Sequence, residues 1–134
     1  MSRPEGPLRE ALESRTGVRL AVLFGSAARG TTGPRSDLDV GVILEEGLGL
    51  TEVENALARA TGRRVEVVCL DTASPLLRFE IARDGRVLLE RTRHAWTDFR
   101  ARAMTDWWDW APTARLLNRA AVERLRATVA DGPR

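Results

Sequence analysis

Lysine is absent from this chain, and cysteine and histidine occur once each, as Cys69 and His94. A lone cysteine excludes a disulfide within the chain and fits a reducing compartment. No segment approaches the ~20 consecutive apolar residues of a membrane span. The N-terminal Met1-Ser2-Arg3-Pro4-Glu5 lacks the apolar stretch of a signal peptide. The expectation is a soluble, cytoplasmic protein with no membrane role. A dominant charge is missing too: 21 arginines against 19 acids leave a net charge of only +2. The all-arginine usage reads as genome composition, and direct nucleic-acid binding, which calls for a basic face, is not expected. There are no internal repeats and no low-complexity segments. What remains is 134 residues, 43% of them hydrophobic, enough for one packed core, and the chain reads as a single domain over 1–134.

Within that domain, Val18-Arg19-Leu20-Ala21-Val22-Leu23-Phe24 reads as a short buried strand stopped by Gly25. Gly25 lets the backbone approach a ligand with no Cβ in the way. Ser26 adds a hydroxyl, and one helical turn after it would aim free N–H groups at an anion. Arg29 adds a forked set of donors suited to phosphate. Taken alone, Gly-Ser and Arg-Gly are also ordinary turn residues. Ten residues after Ser26 comes Ser36-Asp37-Leu38-Asp39-Val40-Gly41-Val42-Ile43-Leu44, a strand with an acidic mouth. Residues i and i+2 of a strand share a face, so Asp37 and Asp39 stand side by side while Leu38, Val40 and Val42 point into a core. Paired carboxylates repel unless a cation lies between them, and in phosphoryl chemistry that cation is Mg²⁺. By itself this could also be a solvated strand mouth after the turn Thr31-Thr32-Gly33-Pro34. Strand, Gly-Ser turn, loop and Asp-x-Asp strand in this order supply phosphate donors, metal ligands and rigid supports together.

A third carboxylate is available in Arg63-Arg64-Val65-Glu66-Val67-Val68-Cys69-Leu70-Asp71. Glu66 within an apolar strand is costly to bury without a partner. A metal shared with Asp37 and Asp39 would provide one; the alternative is an exposed Glu66 paired with Arg64. Asp71 lies at the strand end with the wrong parity.

The remaining elements follow from local signals. Leu8, Ala11 and Leu12 mark a short amphipathic helix ended by Gly17. Thr51-Glu52-Val53-Glu54 reads as a capping box opening a helix that buries Val53, Leu57 and Ala60 and stops at Gly62. Ser74-Pro75 starts another helix ending at Gly85, and Arg86–Glu90 is a last short strand. Strands alternating with helices favour an α/β sheet with helices over one face. Met1–Gly6 and Ala130–Arg134 read as loose ends.

The C-terminal third reads as helices over about 92–128. Trp96, Phe99, Ala103, Trp107 and Trp110 form one stripe, and Pro112 opens a second helix carrying Leu117, Ala121 and Leu125. The stripe can cover the sheet, offer an aromatic patch to a protein, or stack single-stranded nucleic acid. Trp108, off the stripe, is the better candidate for contact. His94 reads as a cap or a solvated residue, and Asp106 and Asp109 as solvated helix positions.

Gly25-Ser26-Ala27-Ala28-Arg29-Gly30 followed by Ser36-Asp37-Leu38-Asp39 resembles the signature of the DNA polymerase β-like nucleotidyltransferases, and within them the minimal, MNT-type members. The likeness runs from Val18 to about Leu125. It includes Ala73–Ile81, Asp84–Leu89 and the Trp108–Pro112 stretch, where Trp stands for the family's Tyr or Phe. The resemblance implies an α/β (α+β) fold: a small mixed sheet covered by helices, with a C-terminal helical segment. It implies Asp37, Asp39 and Glu66 as catalytic and metal-binding residues for two Mg²⁺ ions, Glu66 departing from the usual Asp. Gly25, Ser26, Arg29 and Ser36 would bind the nucleotide, with ATP as substrate. Such proteins are commonly antitoxins that move AMP onto a tyrosine hydroxyl of a HEPN-domain RNase toxin and so neutralise it. The alternatives are a degenerate transferase that neutralises a toxin by binding alone, and a small-molecule nucleotidyltransferase of the aminoglycoside type. Few residues remain after the last strand to build a private small-molecule pocket. A nucleic-acid end-modifying enzyme would call for a larger basic face.

Overall fold

The computed structural model describes residues 3–30, 33 and 36–130. A four-stranded sheet, in the order β3-β2-β1-β4, forms its centre. The strands are β1 (Val18–Phe24), β2 (Leu38–Leu44), β3 (Val65–Cys69) and β4 (Arg86–Glu90). β1 pairs antiparallel with both β2 and β4, whereas β2 and β3 run parallel. That parallel pair needs a crossover, and helix α3 (Leu50–Thr61) provides it. The sheet is therefore mixed, as the resemblance implies.

Helices cover both faces of this sheet rather than one. Leu8 and Leu12 of α1 (Glu5–Glu13) and Val53 and Leu57 of α3 pack on Ala21, Leu23, Leu38, Val40, Val42, Val65 and Val67. Opposite them, α4 (Pro75–Asp84) and α5 (Ala95–Ala130) bury Ile81, Ala82, Phe99 and Ala103 on Leu20 and Val22. Period-2 alternation makes both faces of β1 apolar, so both must be covered. Gly41 leaves room for Leu70, whose Cδ2 would lie 2.5 Å from a Cβ at that position.

Several expected boundaries shift. Glu5 and Gly6 belong to α1 instead of a loose end, and α1 stops at Glu13 with Ser14 as its C-cap, before Gly17. The helix α3 starts at Leu50 with Gly49 as N-cap, so Thr51 lies inside it and forms no capping box. Ala60 is exposed, because Val53 and Leu57 already turn the buried face away from it. Gly62 ends α3 in the left-handed conformation, and the Ser74 hydroxyl caps α4 by accepting from Leu77 N. The expected second C-terminal helix is absent: α5 continues through Pro112. A proline there removes the amide that would bond the carbonyl of Trp108, but Trp108 and Pro112 are both exposed, so water can take that bond. The expected turn residues Thr31, Thr32 and Pro34, and the C-terminal end beyond Ala130, lie outside the described residues.

The aromatic stripe divides at mid-helix. Phe99 is buried, Trp107 stacks on Phe79 of α4 at 5.1 Å between centroids, and Trp110 leans on Trp107 at 5.9 Å. Beyond it, Leu117 and Leu125 are 59% and 66% exposed and Trp108 is 74% exposed. Asp106 is no merely solvated position, since it pairs with Arg78 at 2.8 Å. Asp109 is exposed, and His94 sits exposed at positive φ just ahead of α5. Among the described residues, no helix is long and apolar enough to cross a membrane.

Candidate active site

The end of β1, the start of β2 and the start of β3 meet at one edge of the molecule. Phe24 lies opposite Asp39 in the β1–β2 register, and Asp39 lies opposite Glu66 in the β2–β3 register. Neighbours in register share a face, so Asp39 and Glu66 stand side by side. Asp37, two residues before Asp39, precedes the first residue of β2 and is exposed. Asp39 is half-buried and Glu66 exposed. The expected cost of burying Glu66 therefore does not arise, and no ion pair joins it to Arg64 among the described residues.

Gly25 binds the two halves of the motif into one structure. Its φ of 72° and ψ of −153° lie in a region that is essentially glycine's own. A Cβ there would sit 2.6 Å from Oδ2 of Asp39. The turn that opens α2 (Ser26–Arg29) is thus laid directly against an acidic side chain. Ala28 anchors α2 in the core, and Gly30 ends it in the left-handed conformation.

The electrostatics agree with this crowding. Partial burial, followed by the charges of Glu66 and then Asp37, pushes the Asp39 carboxyl above its ordinary range. A cation at this mouth would reverse that effect. The donor set suits Mg²⁺: hard carboxylate oxygens on two strands, at an open edge. Among the described residues no group of three or more acidic, His or Cys side chains is placed to hold a metal ion together.

Arg29 closes α2 and Ser36 lies in the loop before β2. Arg29 is exposed, and its charge, after the hydrogen bond from Arg83, helps hold the Asp84 carboxyl below its usual range. It therefore lies toward the end of α4. The Ser36 hydroxyl accepts from the backbone N–H of Gly33 at 3.1 Å, and Ser36 N donates back to Gly33 O at 3.1 Å.

Two residues that sequence reasoning did not single out support the site. Arg63 donates to Ser36 O from Nη2 at 2.6 Å and from Nε at 3.2 Å, and to Gly33 O at 3.0 Å. It clasps the loop that delivers Asp37 to the foot of β3. Glu54 of α3 accepts from Val67 N at 3.1 Å, which fixes the strand carrying Glu66. The Arg63-Arg64 pair ahead of a strand was the only available signal for the first. Glu54 reads in the sequence as the acid of a capping box, whereas its partner is a backbone group 13 residues away, which no local pattern announces.

Comparisons with known proteins bear on the family and the fold. The family described as polymerase beta, nucleotidyltransferase matches residues 7–94. A chain from a toxin–antitoxin complex crystallised with AMP-PNP superposes with a TM-score of 0.73 at 24% identity, over 87% of this chain and 98% of that one. A chain from the complex of a tri-AMPylated Shewanella oneidensis HEPN toxin with its MNT antitoxin gives 0.68 at 21% identity, over 88% and 96%. A structure described as a minimal nucleotidyltransferase reaches 36% identity over 63% of this chain and 87% of its own, with a TM-score of 0.52. No curated protein sequence matches the chain. With strands, turn and carboxylates in the family's order and the family match spanning most of the sheet, this chain belongs to the polymerase β nucleotidyltransferases.

Proposed function

We propose that this nucleotidyltransferase is the antitoxin of a toxin–antitoxin pair and moves AMP from ATP onto a tyrosine hydroxyl of a HEPN toxin. The observation that carries the reading is the registered pair Asp39–Glu66 beside the Gly25 turn. Its likeness to chains from toxin–antitoxin complexes, one crystallised with AMP-PNP and one with a tri-AMPylated toxin, supplies the acceptor.

In this reading the backbone of Gly25 and the hydroxyl of Ser26 hold the triphosphate. Arg29 meets its outer oxygens, and Ser36 keeps the loop before Asp37 closed through its hydrogen bonds with Gly33. Asp37, Asp39 and Glu66 would hold two Mg²⁺ ions, which when bound neutralise the charge that develops on the phosphates. Glu66, the most accessible strand carboxylate, accepts the proton of the acceptor hydroxyl. The acceptor oxygen bonds to the α-phosphorus as the bond to the β-phosphate oxygen breaks, and pyrophosphate leaves with that electron pair. The whole chain acts as one domain, in the cytoplasm, where its free Cys69 stays reduced.

Incubating the chain with its cognate toxin, ATP and Mg²⁺ and recording intact masses tests the reading. The toxin is expected to gain mass in AMP-sized steps, and the gain should vanish with Asp37→Ala/Asp39→Ala. A toxin neutralised without nucleotide and without mass change would instead establish the binding-only antitoxin. The exposure of Glu66, in a position where the family carries Asp, favours that second reading.

A further inference from the structure

The reaction proposed above fixes the direction from which an acceptor must come. In-line displacement puts the attacking oxygen opposite the departing pyrophosphate. The phosphate-side turn lies at β1, where Gly25 abuts Asp39. The open side is then the outer edge of β3, the terminal strand of the sheet.

That edge is unusually available. Leu38 N donates to Arg64 O, and Leu70 N donates to Val42 O, each at 2.9 Å. Even-numbered residues of β3 therefore turn their backbone groups toward β2, and Val65, Val67 and Cys69 turn theirs outward. The outward Val67 N–H is held by the Glu54 carboxylate in place of a strand. Beside it lies a cleft of about 410 Å³ lined by Asp37, Glu54, Asn55, Ala58, Arg64 and Glu66 together with Val65. Its lining combines two of the three candidate catalytic carboxylates with an unpaired strand edge. Asp37 and Glu66 are the metal-facing acids of the reaction proposed above, which leaves Glu54 as the carboxylate an acceptor segment can pair with.

We infer that this cleft between α3 and β3 is the acceptor-docking groove, and that its occupant is an extended, basic segment of the toxin carrying the acceptor tyrosine. The segment adds to the outer edge of β3 by main-chain hydrogen bonds, which supply affinity without demanding a particular sequence. As it does so it displaces Glu54 from Val67 N–H and leaves that carboxylate to pair with a basic side chain. Strand alternation then places one residue of the segment beside Glu66. The inference rests on the adenylylation reading for its chemistry but not for its binding.

The test uses two variants and the cognate toxin. Asn55 is exposed on α3, and Asn55→Trp fills the groove without adding charge. Glu54→Gln keeps an oxygen acceptor for Val67 N–H and removes the charge. Asn55→Trp is expected to raise the KM for toxin at least tenfold, with the KM for ATP and the melting temperature unchanged. Glu54→Gln is expected to raise the toxin KM about threefold and to flatten its salt dependence. An unchanged toxin KM in Asn55→Trp overturns the inference. If the wild-type chain transfers no AMP, the adenylylation reading fails alone, and the Kd for toxin decides docking. A tenfold weaker Kd in Asn55→Trp supports the groove. An unchanged one, or binding lost in Leu117→Asp only, places the contact elsewhere.

Discussion

Gly25 and Asp39 are tied by a clearance of one missing atom. Gly25→Ala would force a Cβ to within 2.6 Å of Asp39 Oδ2 at a backbone conformation that other residues avoid. The expected cost is about 1–3 kcal/mol of stability, read by denaturant melts, with transfer lost as the carboxylate is pushed aside. Asp39 itself stands where its charge costs stability. Its carboxyl is raised from an ordinary value of 3.8 by burial, then by Glu66 and Asp37. A raised acid binds its proton more tightly folded than unfolded, so its contribution to stability falls as pH rises through and beyond that window. Asp39→Asn is therefore expected to melt about 1–3 °C higher than wild type at pH 7 without divalent ions. The gain should vanish near pH 3, below both pKa values, and transfer should drop about 10²-fold or more. A variant that melts lower at neutral pH would refute the account. Residues at this scale were legible when they stood in a motif. Gly25, Ser26, Asp37, Asp39 and Glu66 all lie at the meeting of three strands, but spacing along the chain could not show that Gly25 abuts the Asp39 carboxylate.

Among the elements, the loop between α2 and β2 depends on a residue from beyond α3. Arg63 closes it with three hydrogen bonds to Ser36 O and Gly33 O. Arg63→Ala is expected to lower kcat about tenfold with a loss of about 1–2 kcal/mol in stability, and Arg63→Lys to restore part of kcat. The α4 start makes a simpler case: Ser74→Ala removes the cap to Leu77 N and should cost about 1 kcal/mol in thermal or denaturant melts. The four strands were readable because each is a short apolar run bounded by Gly, Asp or Arg, and α4 because Ser-Pro fits only a helix start. The Thr51 box failed because Gly49 caps the helix two residues earlier, and local spacing cannot choose between two neighbouring starts. Pro112 misled for a related reason. Its cost depends on whether the orphaned carbonyl meets water, which is a property of the surface around it. The pairing of Arg78 with Asp106 and of Glu54 with Val67 N joins elements far apart in sequence, and no local pattern announces such contacts.

Among the described residues, burial is concentrated in the sheet and in the helices packed on it, the first half of α5 included, and the second half of α5 stands outside it. Leu116, Leu117 and Leu125 are already exposed. The triple variant Leu116→Glu/Leu117→Glu/Leu125→Glu should therefore leave the melting temperature of the isolated chain within about 1–2 °C of wild type. Light scattering should show less self-association. A large drop in melting temperature would mean that this half packs on the domain. The mixed sheet also sets an order in time. β1 and β2 can close on each other as antiparallel neighbours, whereas Glu66 reaches Asp39 only once α3 has carried the chain across the sheet. A chain that has closed β1 on β2 but not yet docked β3 thus has its Gly-Ser turn and two aspartates together and its third carboxylate still apart.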